Sequence, residues 1–123
     1  MARVGLYEYQ HQQLVIKWTQ QPQIRKKYPD LKLLYHVANE RKCTPKQGAF
    51  LKRMGLRKGV PDLHLPVAKG EYHSLYIEMK DETGATSPDQ EWWIREMMQK
   101  GNFCEVCHGW ESAVRVLEWY LNL

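Results

Sequence analysis

Along residues 75–80, Leu75, Ile77 and Met79 alternate with Tyr76, Glu78 and Lys80. A period of two predicts a β-strand with one apolar face. The other face carries an aromatic ring, an acid and a base in a row. Side chains at i and i+2 point the same way, about 6.6 Å apart at a rise of about 3.3 Å per residue. Glu78 and Lys80 are therefore neighbours on one face.

Elsewhere the period lengthens. In residues 7–20, Tyr7, His11, Leu14, Val15 and Trp18 fall at helical spacing and predict a buried stripe, with Glu8 and Gln12 on an adjoining face. Pro22 ends that helix. Residues 24–30 then read as a short basic turn, 31–37 as a strand and 38–43 as a loop. Thr44, Pro45 and Gln47 match the N-cap, N1 and N3 positions of a capping box, so a helix runs to about Met54, with Gly55 as its cap. Residues 62–67 and 73–80 predict a hairpin turning near Lys69 and Gly70. Ser87, Pro88 and Gln90 repeat the capping pattern for a helix to Lys100. A short strand over 102–107 and an amphipathic helix over 110–121 close the chain. The order α-β-α-β-β-α-β-α predicts a mixed sheet flanked by helices, in one domain spanning residues 1–123.

Charge is distributed unevenly. Residues 23–58 hold eleven Lys/Arg and two acids, a net +9, while the rest holds seven bases and twelve acids, a net −5. A basic third points to a polyanion partner, a solvated basic surface being the alternative. No apolar run is long enough to span a membrane. The N-terminus has no apolar signal region, so an intracellular setting is expected. Three cysteines, Cys43, Cys104 and Cys107, make no disulfide framework. Cys104 and Cys107 lie three apart in a predicted strand and point to opposite faces, which undercuts a shared zinc site.

Asp62 follows Gly59-Val60-Pro61, where the chain can bend at the mouth of the sheet. Folding the hairpin brings it near Glu78 or Lys80. Two carboxylates held close repel unless a cation lies between them. Hard divalent ions take such oxygen ligands, and a neighbouring lysine can orient water or offset charge growing on a phosphate. Taken alone, Glu-x-Lys on a strand is common and usually does no more than keep a sheet soluble. Arg53, Arg57 and Lys58 flank the approach to Asp62 and are candidate phosphate contacts.

With these residues in place, GVPD at 59–62, EMK at 78–80 and SPDQ at 87–90 resemble the VRR-NUC family (virus-type replication–repair nucleases) of the PD-(D/E)xK superfamily. HVANE at 36–40 is similar to an upstream segment of that family, although Ala38 stands where proline is more usual. The resemblance covers about residues 5–121. It implies a restriction-endonuclease-like fold and an Mg²⁺- or Mn²⁺-dependent endonuclease. Asp62, Glu78 and the Met79 backbone carbonyl would hold the metal, with Glu8 as an additional acid. Lys80 would be the catalytic lysine, and Gln90 would face the site and position water or phosphate. Asn39 and His36 are weaker carry-overs, and Lys46, Lys52, Arg53, Arg57 and Lys58 would contact DNA. The stand-alone, phage-type members that the chain resembles are homodimers acting on branched DNA, including four-way junctions, which implies host cytoplasm if phage-encoded. Two rival expectations are a non-catalytic DNA-binding module of the same fold and a nuclease for other DNA structures or specific sequences.

Overall fold

The computed structural model describes residues 5–38 and 44–123. Asn39, Cys43 and most of the expected 38–43 loop lie outside the described residues.

Helix α1 spans Glu8–Thr19, and its first turn is closed by the Gln10 Oε1, which accepts from the Tyr7 N–H at 2.8 Å. It buries His11, Val15 and Thr19. Tyr7, expected in the buried stripe, is 48% exposed and stacks on Tyr9 instead. It precedes the first helical residue, where the helical face no longer governs direction.

The expected turn after Pro22 is a second helix, α2 (Pro22–Lys27), and a 3₁₀ helix follows over Pro29–Leu33. Proline lacks an N–H and has its φ preset, so it stops one helix and suits the first turn of the next. The same logic at Pro29 shortens the expected 31–37 strand to β1, Tyr35–His36. Leu31 is buried within the 3₁₀ turn.

Helix α3 (Pro45–Arg53) and helix α4 (Pro88–Gln99) both begin with the expected capping boxes, at Thr44 and Ser87. Strands β2 (Leu63–Leu65), β3 (Leu75–Lys80) and β4 (Phe103–His108) and helix α5 (Trp110–Leu121) complete the fold. The sheet order is β1-β2-β3-β4; the first three strands run antiparallel, and β4 is parallel to β3. β2 is shorter than expected. Pro66 follows it and has no N–H for the ladder.

Leu63, Leu65, Leu75, Ile77 and Met79 form one sheet face and pack with Val15 of α1 and Ala113, Leu117 and Tyr120 of α5. Side chains alternate across a strand, so Tyr76, Glu78 and Lys80 face the other way. Helix α4 packs against β4 and sends Gln90 to Glu78, so it covers part of that opposite face. The result is a four-stranded mixed sheet flanked by helices.

Candidate metal centre

Antiparallel pairing sets Leu63 opposite Ile77 and His64 opposite Tyr76. One residue further, that register brings Asp62 level with Glu78. Asp62 lies at a bend just before β2, as its position after Pro61 predicts. The Met79 N–H donates to Asp62 Oδ2 at 2.8 Å. The bend is braced from β1's side, where the Val37 N–H donates to the Asp62 carbonyl at 2.7 Å and His36 Nδ1 stands 3.0 Å from it. His36 therefore touches the Asp62 main chain.

Glu8 of α1 joins this pair. Carboxylate oxygens of Glu8, Asp62 and Glu78 all lie within 4.8 Å of one another. Asp62 and Glu78 are buried, at 7% and 1% exposure. Carboxylates so placed, two of them withdrawn from water, are costly as a bare cluster. Lys80 Nζ is 3.6 Å from Glu78 Oε2, and its side chain is also buried. Among the described residues, Lys80 brings one ammonium to these three carboxylates. The all-oxygen donor set suits a hard divalent cation.

Gln90 has two tasks. Its Oε1 accepts from the Ser87 N–H at 2.9 Å, completing the capping box, and its Nε2 donates to Glu78 Oε2 at 3.3 Å. The cap fixes which end of the amide faces the carboxylate. The Met79 N–H points to Asp62, whereas the Lys80 carbonyl accepts from Gly109 N on the β4 side. Peptide groups of successive strand residues point to opposite edges. The Met79 carbonyl therefore projects to the same side as Asp62.

The basic candidates lie around, not within, this cluster. Lys46, Lys52, Arg53, Arg57 and Lys58 are all exposed. The Arg57 guanidinium sits 5.3 Å from the Trp93 ring centroid, and Trp93 Nε1–H donates to the Lys58 carbonyl at 3.0 Å. Trp93 is half-buried and clamps this loop onto α4. Trp92 is exposed and meets Trp93 edge-on.

Three features escaped the reading of the sequence. Gly59 has φ +93°, and a Cβ there would meet the Asp89 backbone carbon at 2.7 Å, so only glycine lets the loop touch the first turn of α4. His64 is half-buried and stacks on Tyr76 with centroids 4.1 Å apart. It links the Tyr35 hydroxyl to Ser74 at 2.7 and 3.1 Å, and Ser74 donates to Asn102. Burial lowers its pKa. Periodicity carries no signal for either contact. The third is the bracing of Asp62 by Val37, in a segment whose strand is only two residues long.

Cys104 and Cys107 are buried, and burial pushes their thiols up to about 12 and about 11. Three apart in β4, they point to opposite faces, which argues against a shared zinc site.

The VRR-NUC domain model matches residues 6–111. A solved VRR-NUC domain protein structure superposes with a TM-score of 0.81 at 29% identity, covering 97% of this chain and 91% of that one. No curated protein matches the chain. Among the described residues, no helix is long and apolar enough to cross a membrane. The match over most of the chain, on a fold whose sheet mouth gathers three carboxylates and a lysine, shows that the chain belongs to the VRR-NUC domain family and is a nuclease-type DNA-processing domain.

Proposed function

We propose that the protein is a divalent-metal-dependent endodeoxyribonuclease of the PD-(D/E)xK type that cuts branched DNA, four-way junctions in particular, as a homodimer. The observation that carries the metal dependence is the convergence of Glu8, Asp62 and Glu78 within 4.8 Å beside Lys80. These carboxylates and the Met79 carbonyl would hold Mg²⁺ or Mn²⁺. Such an ion, when bound, polarises a phosphate oxygen and lowers the pKa of water.

The chain's own groups do the rest. Gln90 holds Glu78 in place from a rigid helix start. Asp62 is fixed by the Met79 N–H. Lys80, anchored beside Glu78 on the same strand face, orients the attacking water and offsets charge growing on the phosphate. The exposed bases at 46, 52, 53, 57 and 58 hold flanking phosphates. A symmetric junction presents two strands to cut, which two copies of the site can serve together.

The test is cleavage of a labelled four-way junction, a linear duplex and a single strand, each with Mg²⁺, Mn²⁺ or chelator. Paired, metal-dependent cuts near the branch, lost in Glu78→Ala, are expected. Binding without cutting on every substrate would establish a non-catalytic DNA-binding module instead. Cuts at one fixed sequence on linear duplex would replace branch recognition with sequence recognition.

A further inference from the structure

Helix α3 buries none of its residues, like the shorter α2. Its inner side is only half-buried, at Gly48 and Leu51. Its outer side carries Phe50, 53% exposed, and Met54 at its C-cap, 72% exposed. Lys46, Phe50 and Met54 are spaced by four and form one row on the helix, with Lys52 and Arg53 beside it. Short helices are marginal in water without a packed face. The Thr44 capping box and the Arg57–Trp93 clamp fix the two ends of this arm, yet neither accounts for two large apolar side chains turned outward.

Residues 44–61 contain five bases, Lys46, Lys52, Arg53, Arg57 and Lys58, and no acid. That charge complements a polyanion. It opposes a second copy docking on the same face, since an isologous contact would set like charges against like. Continuous duplex answers the charge but hides its apolar base faces within the stack. Base faces are uncovered where stacking is interrupted, at branches and splayed ends. A basic surface with an apolar side chain at its centre suits that substrate, as apolar wedges do in proteins that open base steps.

We infer that α3 is a branch-reading arm: Phe50 and Met54 contact bases unstacked at the branch, while Lys46, Lys52 and Arg53 hold the flanking phosphates. The arm is coupled to the cluster through the chain. The Arg57–Trp93 clamp and the Gly59–Asp89 contact fix the segment that leads from α3 to Asp62. This inference rests on the DNA-directed reading above and adds the source of its preference for branched substrate.

Fluorescence anisotropy in chelator reads it without cleavage, on a four-way junction and a linear duplex of matched sequence. In Phe50→Ala/Met54→Ala, junction affinity falls about tenfold, in line with loss of a base–side-chain stack. Duplex affinity stays within about twofold, as for surface substitutions generally. Phe50→Trp, which keeps a stacking face, retains the preference. Lys52→Ala/Arg53→Ala weakens both substrates alike and lowers the salt slope of binding by about 1.8, at about 0.9 per phosphate. Equal loss on both substrates, no loss on either, or a change in sedimentation mass in the Phe50/Met54 variant would overturn the inference. Junction binding that follows this pattern without cutting would overturn the nuclease reading alone. Cutting whose branch preference survives in Phe50→Ala/Met54→Ala would overturn the arm alone.

Discussion

At the scale of single residues, the pairing of Glu78 with Lys80 on one strand face separates two jobs. On the proposed reading the carboxylate would be a metal ligand, and the ammonium would serve the reaction. Lys80→Ala is therefore expected to lower kcat by about 10²–10³ while metal binding survives; single-turnover kinetics beside a metal titration checks both. Gln90 donates to Glu78, so on the same reading it would act through that carboxylate. Gln90→Ala should weaken metal affinity by about 10–100-fold, the usual cost of removing a group that orients a ligand. A fall in kcat at saturating metal with unchanged affinity would instead place Gln90 on water or phosphate. The buried thiols give a pH prediction. Cys104 and Cys107 stay protonated in the fold to about 12 and about 11, above the ordinary value of 9.0. The native state thus binds more protons than the unfolded chain above pH 9, and stability falls as pH rises from there towards 11. Iodoacetamide at pH 8.5 should leave Cys104 and Cys107 unlabelled until denaturant is added; rapid native-state labelling at either position, located by peptide mass so that Cys43 is counted apart, would contradict their burial.

Elements decide how much of this was legible in advance. The two capping boxes were, because Thr44-Pro45-x-Gln47 and Ser87-Pro88-x-Gln90 are local and chemically explicit. The period-two run of β3 and the amphipathic α5 were legible for the same reason. Helix α2 was not, because Pro22 reads equally as a stop and as a first helical residue. The Leu31–Leu34 run has no strand period, and its 3₁₀ turn is set by Pro29. The hairpin could bring Asp62 near Glu78 or Lys80 but could not choose between them; the observed register sets it level with Glu78. Glu8 could not be placed at all, since only the packing of α1 against the sheet carries it there, and its role was available only through resemblance. Gly59 binds these elements together. Gly59→Ala combines an unfavourable φ with a clash on the Asp89 backbone and should cost about 3 kcal/mol. Calorimetry should then show Tm lower by about 10 °C for a chain of this size. A substitution that leaves Tm unchanged would mean that the loop does not bear on α4 in solution.

For the molecule as a whole, the arrangement divides labour between a rigid sheet mouth and a basic exterior. Three carboxylates reach one point from α1, from the bend before β2 and from β3. A cluster assembled from three separate elements has no evident purpose in packing, because two of its members are buried carboxyl groups. A divalent cation gives it one. The most direct test is titration of Mn²⁺ into the wild type and into Glu8→Ala, Asp62→Ala and Glu78→Ala, followed by calorimetry or by loss of the free-ion paramagnetic signal. The account predicts binding to the wild type and a loss of more than about a hundredfold in Asp62→Ala and Glu78→Ala, since removing a ligand exceeds the cost of removing its support. A smaller loss is expected at the more exposed Glu8. Mn²⁺ binding of equal strength in the wild type and all three variants would contradict it.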